Sequence, residues 1–319
     1  MKKDYYYPYN LENKITEDSK VLIGIGDSFC AGHGACSIEL WEKFGWDEKR
    51  MLSQGWYEVG LSNAKNSWVN QLCVNHMPDW TPLNLGLSGK GNRFAVKELM
   101  TNKILGFEKS KEKIVVFAVS GFERLDFAND LINENHFSTQ WPVYEGDKNG
   151  YGVLTSDSGE ELYSERFVIS EFILNIIELM NWCELHNAKL LLISGFTPEL
   201  NRKHFIDVFS PIVTSSIGQM KLDELISSVP WHRIIRPMGF SCITDMLLHL
   251  EGLDEYIPNY GFRNLKLDTM GPNGFFTKCN HPSEKGHKLL AEIIYDHILN
   301  YDKSTENSKK YKYSEIVKY

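Results

Sequence analysis

At residues 21–34 the chain reads Val21-Leu-Ile-Gly-Ile-Gly-Asp-Ser-Phe-Cys-Ala-Gly-His-Gly34, an apolar run that changes abruptly into a glycine-rich segment. The run and the Gly26-Asp27-Ser28 that ends it predict a buried strand entering a tight turn. In an open α/β sheet, the functional site lies at the carboxyl ends of the strands. Ser28 is therefore a candidate nucleophile, and the alternative is that its side chain caps the helix that follows.

Two glycine-rich stretches could hold phosphate-binding motifs, and the spacing of their residues excludes both. The dinucleotide motif needs Gly-x-Gly-x-x-Gly, but Gly24 and Gly26 are followed by Phe29 where the third glycine belongs. Gly89-Lys90 is followed by Gly91, whereas a P-loop needs Ser or Thr there. Serine chemistry is the interpretation that remains.

Composition narrows the class of protein. A net charge of −8 argues against nucleic acid as a partner, and no apolar segment approaches the length of a membrane span. The six cysteines form no CxxC pair or zinc-ligand spacing, so we expect a reducing compartment, no metal and no cofactor. The N-terminus lacks the apolar run of a signal peptide, which predicts a cytoplasmic protein.

Apolar runs and helical periodicity alternate along the chain, which predicts a parallel sheet covered by helices. We expect the fold class α/β, a three-layer α/β/α sandwich of flavodoxin-like topology with a short parallel sheet. The strands are predicted at 21–26, 82–85, 114–119, 189–194 and, more weakly, 232–237. The long helices are predicted at about 64–77, at 166–186, and at 284–299 with Ser283 as N-cap.

With 319 residues and no linker-like segment, a single domain is the simplest organisation. We predict an N-terminal arm at 1–19, a domain at 20–301, and a polar C-terminal tail at 302–319. The domain carries insertions near 37–62, 128–162, 197–230 and 240–276. Aromatic residues in the first insertion could stack on sugar rings, or could pack a cap or contact a protein partner; they are Trp41, Trp46, Trp56 and Tyr57.

Four short motifs carry a family resemblance. They are Gly26-Asp27-Ser28-Phe29, Asn66-Ser67-Trp68-Val69, Asn84-Leu-Gly-Leu-Ser-Gly89 and His281-Pro-Ser-Glu-Lys-Gly-His287. With these motifs in this order along the chain, the sequence resembles the SGNH or GDSL hydrolases. The runs Gly89-Lys-Gly-Asn-Arg-Phe94 and Ser120-Gly-Phe-Glu-Arg-Leu-Asp126 are similar to a divergent branch of that family, which includes phage-encoded members.

The resemblance implies a serine ester hydrolase with the SGNH fold. Ser28 would be the nucleophile and His281, just before the last helix, its general base. The backbone N–H groups of Ser28 and Gly89 are the expected oxyanion donors. The substrate would be a small-molecule or glycan ester, and the aromatic insertion favours removal of O-acetyl groups from a carbohydrate.

Two positions depart from the family pattern. Phe122 occupies the place where the family usually has an oxyanion-binding Asn; Asn92 could replace it, or could only cap a helix. Lys278 stands where the family usually has the catalytic Asp. The ring N–H of His281 could then be held by a backbone carbonyl near Thr277 or Lys278, or by Asp268, so the sequence predicts a dyad or an incomplete triad.

Other polar residues near the motifs receive structural interpretations. Asp27 is expected to stabilise its own turn. Arg124 and Asp126 are expected to pair, with contact between Arg124 and an anionic substrate as the alternative. His287 is expected to be packed or solvated, and His33 is the one base that competes with His281.

The alternative class is a catalytically degenerate SGNH-fold protein that serves as a structural or binding protein rather than as a hydrolase. Replacement of both the Asn and the Asp of the family pattern favours this alternative. A virion component is one example of this class, and the protein would then be located in the virion. Retention of both Ser28 and His281 favours the enzyme.

Overall fold

A computed structural model describes residues 15–45, 47–88, 90–101, 106–120, 125–128, 137–140, 154–155, 161–163, 165–195, 224, 226–253, 274–277 and 281–301. The predicted C-terminal tail, most of the arm and most of the 197–230 insertion lie outside these residues. None of the helices in this part of the chain is long and apolar enough to cross a bilayer.

Among the described residues, five parallel strands form the central sheet, in the spatial order β2-β1-β3-β8-β9. Counting only these strands, the order is 2-1-3-4-5, as in doubly wound flavodoxin-like sheets. Their bounds are β1 Lys20–Gly26, β2 Trp80–Asn84, β3 Glu112–Val119, β8 Ala188–Ser194 and β9 Ile234–Ile235. Two antiparallel pairs lie outside the sheet: β4 Leu125–Ala128 with β5 Phe137–Gln140, and β6 Leu154–Thr155 with β7 Glu161–Tyr163.

Helices cover both faces of the sheet, as in a three-layer α/β/α fold. On one face the core contains residues of α6 and α7, and on the other it contains residues of α5, α8 and α9. The helices are α1 Ser28–Ala31, α2 Ile38–Lys43, α3 Glu48–Gln54, α4 Trp56–Asn66, α5 Trp68–His76, α6 Asn92–Thr101, α7 Glu165–Leu185, α8 Ile243–Leu250 and α9 Glu284–Leu299.

Strand β1 lies between the two cores and contributes side chains to both. Val21, Ile23 and Ile25 pack into one core, whereas Leu22 packs into the other, because side chains alternate across a strand. Gly24 lies on the face of Leu22, and a Cβ there would come within 2.4 Å of Val69 Cγ2. The absence of a side chain at this position therefore lets α5 lie close against the sheet.

The parallel sheet and the last helix confirm the sequence prediction, but four segments differ from it. The helix expected at 64–77 is two helices, because Ser67 has extended backbone and its hydroxyl donates to the Ala64 carbonyl, closing α4. The strand expected at 232–237 has two residues, since a turn of 3-10 helix precedes it and Pro237 begins another.

The other two differences concern insertions that the sequence left without regular structure. The 37–62 insertion is largely helical, with its own small apolar cluster that includes Trp41, Phe44 and Met51. The 240–276 insertion contains α8, whose buried face completes the core beside α9. Burial of apolar side chains anchors the helices of both insertions.

Candidate active site

Ser28 is presented by a turn that only glycine can enter. Gly26 has φ +144°, and a Cβ there would lie 2.3 Å from the Ala118 carbonyl oxygen on neighbouring β3. Fully buried Asp27 then accepts a hydrogen bond from the Phe29 N–H at 3.0 Å, which caps α1. Ser28 is the first residue of α1, so its N–H precedes the first intrahelical hydrogen bond. This arrangement agrees with the turn-stabilising interpretation of Asp27.

His281 is fixed by a short antiparallel pairing just before α9. The Thr277 N–H donates to the His281 carbonyl at 2.9 Å, and the Ser283 N–H donates to the Phe275 carbonyl at 2.9 Å. The hydroxyl of Ser283 accepts from the Gly286 N–H at 3.1 Å, so Ser283 is the N-cap of α9 as the sequence predicts. The loop that bears the imidazole is therefore anchored to the start of a long helix.

The structure brings Ser28 and His281 together. Their Oγ and Nε2 atoms are 2.7 Å apart, although 253 positions separate the two residues in the chain. Ser28 is 4 % exposed and His281 is half-buried, so the pair lies just beneath the surface at the carboxyl edge of the sheet. In the neutral tautomer with its proton on Nδ1, the Nε2 lone pair accepts the serine O–H.

His33 lies beside the pair and contacts a second loop. Its ring centroid is 4.4 Å from that of His281, with 33° between the ring planes. Its Nδ1 is 3.1 Å from the hydroxyl oxygen of Ser88, in the loop after β2. Of the two bases weighed from the sequence, His281 contacts Ser28 directly, while His33 joins His281 to this second loop.

Asn92 binds the end of β3 with both halves of its amide. Its Oδ1 accepts from the Ser120 N–H at 2.8 Å, and its Nδ2 donates to the Ser120 carbonyl at 3.2 Å. Asn92 is 4 % exposed. These two bonds fix the strand end next to β1, a contact that neither the oxyanion interpretation nor the capping interpretation anticipated. The oxyanion role of Asn92 stays a prediction.

Asn84 is the first residue of the Asn84–Gly89 motif, but the sequence analysis predicted no role for its side chain. Its Nδ2 donates to the Cys30 carbonyl at 2.8 Å and to the Ser67 hydroxyl at 3.2 Å, and its Oδ1 accepts from the Gly86 N–H at 2.9 Å. One amide thus ties the end of β2 to α1 and to the start of α5. The sequence signals are its place at the end of a predicted strand and at the start of the Asn84–Gly89 motif.

His287 is buried structure, in line with its sequence interpretation. Its Nδ1 accepts from the Trp68 N–H at 3.2 Å, which joins α9 to the beginning of α5. Burial lowers the pKa of His287 to about 3, because the charged form loses its hydration there. The imidazole is therefore neutral at physiological pH.

Several predicted site residues lie outside the described part of the chain, and their roles stay predictions. They are Gly89, Phe122, Arg124, Asp268 and Lys278. Asp126 falls in β4, which pairs with β5. The second oxyanion donor and the third member of the triad therefore remain expectations from the family resemblance.

The described aromatic residues of the first insertion divide into two groups, and Trp46 lies outside the described residues. Trp41 is 4 % exposed and packs in the small cluster with Phe44 and Met51. Trp56 and Tyr57 are 43 % and 57 % exposed, and their rings meet edge to face at 5.7 Å. Packing accounts for Trp41, whereas the exposed pair offers an aromatic surface on α4.

Comparison with known proteins adds no relative. A search with models of known protein families finds no match to this chain, and a search of curated proteins finds none either. The class of protein therefore has to be argued from the geometry of the site and the resemblance of its motifs.

Proposed function

We propose that this protein is a serine ester hydrolase of the SGNH type. The observation that carries the proposal is the 2.7 Å contact between Ser28 Oγ and His281 Nε2 at the carboxyl edge of a parallel sheet. A serine hydroxyl becomes a useful nucleophile when a neutral imidazole within hydrogen-bond reach accepts its proton. The order of motifs along the chain supports the family assignment.

The proposed reaction has two stages, formation of an acyl-serine and its hydrolysis. His281 Nε2 takes the hydroxyl proton as Ser28 Oγ attacks the ester carbonyl carbon, which forms a tetrahedral oxyanion. The C–O bond to the leaving alcohol breaks, and the alcohol leaves with the proton from His281. Water then attacks the acyl-serine with the same base, releasing the carboxylic acid and restoring the Ser28 hydroxyl.

The oxyanion needs donors that are already in place when its charge develops. The Ser28 N–H meets this need because it stands ahead of the hydrogen-bonded turn of α1. Gly89 would supply a second N–H, and Asn92 either a third donor or the support of the Ser120 strand end. Loss of one such donor typically costs about 3 kcal/mol of transition-state stabilisation.

A fluorophosphonate probe tests the nucleophile without knowledge of the natural substrate. The folded protein should be labelled at Ser28, as located by peptide mass spectrometry, and should hydrolyse short activated esters. Ser28→Ala should lose both reactions. Ser53→Ala, on exposed α3, is the matched control and should keep both. Unlabelled Ser28 in folded protein would refute the proposal.

For the substrate we propose an O-acetylated carbohydrate. The exposed edge-to-face pair of Trp56 and Tyr57 supports this class, because aromatic rings provide flat apolar faces for sugar rings. Acetylated glycans should be deacetylated, and replacement of Trp56 by Ala should weaken their hydrolysis while leaving activated acetate esters unaffected. Activity confined to acyl chains longer than acetate would refute the sugar assignment.

The second candidate is a binding protein that has kept the fold but not the chemistry. The same exposed aromatic pair favours it, since large exposed apolar groups often mark contact surfaces. The two candidates differ in the effect of Ser28→Ala on biological function. Equal function of the natural protein and this variant would favour the binding protein.

A further inference from the structure

The segment from Ser28 to Gly34 contacts His281 at four places. Besides the hydroxyl contact, the Phe29 ring lies 5.4 Å from the His281 ring, and the His33 ring lies 4.4 Å from it, centroid to centroid. A Cβ on Gly34 would be only 3.0 Å from the His281 Cβ. The segment that supplies the nucleophile therefore also surrounds the base.

His33 is itself held from two directions. Its backbone N–H donates to the Ser28 carbonyl at 3.0 Å, which closes the turn after α1. Its Nδ1 lies 3.1 Å from the Ser88 hydroxyl oxygen, across the gap between the first and second loops. The ring is half-buried. Because its backbone and its ring are both bound, His33 holds its ring in a fixed position beside His281.

We infer that His33 is a positioning residue that fixes the plane of the His281 imidazole, an inference that rests on the proposed function. An imidazole turns about its Cβ–Cγ bond, and proton transfer requires Nε2 to stay within about 2.6–3.2 Å of the serine oxygen. Contact with the His33 ring restricts that rotation. The family usually orients the ring with an Asp, and here Lys278 stands in its place.

The measurement is the second-order rate of Ser28 labelling by a fluorophosphonate, which needs no natural substrate. His33→Ala removes the supporting ring and should slow labelling about 100-fold, the scale expected for a catalytic group displaced by about 1 Å. His33→Phe keeps an aromatic ring beside His281 but lacks the Nδ1 contact with Ser88, so its rate should lie between that of His33→Ala and that of the natural protein. Each variant is assayed well below its own unfolding midpoint.

A double-mutant cycle separates positioning from a general structural effect. If His33 acts through His281, then His33→Ala adds nothing to the slow labelling of His281→Ala, measured at high probe concentration. The inference is overturned by a further loss in that background, by a natural rate in His33→Ala, or by a His33→Phe rate as low as that of His33→Ala. Failure of the proposed function is a different result: the natural protein itself would leave Ser28 unlabelled.

Discussion

Replacing Gly34 by Ala should separate the two members of the candidate dyad. Gly34 has φ +88°, and an added Cβ would lie 2.8 Å from the Pro282 carbonyl oxygen and 3.0 Å from the His281 Cβ. Ordinary van der Waals contact requires the His281 segment to retreat by about 0.6 Å. The Nε2 to Oγ distance then rises from 2.7 Å to beyond normal hydrogen-bond length.

The expected result is a fall of about tenfold or more in the rate of Ser28 labelling, scaled from the penalty of about 100-fold for a 1 Å displacement. Strain at the positive φ should also lower the free energy of unfolding by about 1–3 kcal/mol. Gly239→Ala is the matched control, because Gly239 also has φ +88° but has nothing within 4 Å of its added Cβ.

Comparison of the two variants isolates the effect on the site. Both should lose stability in urea unfolding, but only Gly34→Ala should lose labelling when both proteins are folded. A natural labelling rate in folded Gly34→Ala would refute the argument that this close approach sets the dyad distance. An equal loss of labelling in Gly239→Ala would refute it as well.

Three further predictions concern single buried polar groups. Asp27→Ala removes the cap on the Phe29 N–H and should cost about 1 kcal/mol in urea unfolding, whereas Asp27→Asn should restore most of it. Asn92→Asp keeps the acceptor for the Ser120 N–H but loses the donor to its carbonyl, so stability should fall by about 1–3 kcal/mol in the same assay. His287 binds its proton far less readily in the folded than in the unfolded chain, so its contribution to stability is complete above pH 6.5 and declines as the pH falls toward about 3. At pH 5 the natural protein should therefore lose about 2 kcal/mol that His287→Gln does not lose, measured as the change between pH 7 and pH 5.

Each of these predictions has a result that contradicts it. Equal stability of the natural protein and Asp27→Ala would mean that the cap contributes nothing. An unchanged unfolding curve for Asn92→Asp would show that the bond to the Ser120 carbonyl is dispensable. Parallel pH dependence of the natural protein and His287→Gln would exclude a buried neutral imidazole at that position.

Much of the sheet could be predicted from the sequence because its strands carry a strong local signal. The run from Ile114 to Val119 is continuously apolar, and the structure buries all of it on two covered faces. The start of α9 at Glu284 was also predictable, since Ser283 stands directly before an amphipathic segment. Local patterns of this kind are independent of distant parts of the chain.

The helices of the first insertion were not predictable in the same way. α4 has a mixed surface with exposed Trp56 and Tyr57, so its apolar spacing does not reveal a single buried face. Tertiary packing stabilises such a helix, and no local pattern records that packing. α8 does carry a local signal, because Ile243, Met246 and Leu247 recur at helical spacing and are all buried. The prediction of irregular structure at 240–276 followed its glycine and aromatic content and passed over that spacing.

The candidate site likewise contains one contact that the sequence indicated and others that it could not. The motifs indicated that Ser28 and His281 would meet, and the structure places them in contact. The contact of the His33 ring with the His281 ring and its bond to Ser88 join three separate loops, so no spacing in the sequence could indicate them. Contacts between loops depend on the path of the whole chain.

The two outer strands of the central sheet have a consequence for the protein at high concentration. Exposed strand edges are templates for another molecule's backbone, and they promote aggregation. Here β9 has only two residues, and β2 carries Pro82, which has no N–H to offer an incoming strand. Among the described residues, these two edges therefore offer few backbone groups to an incoming strand.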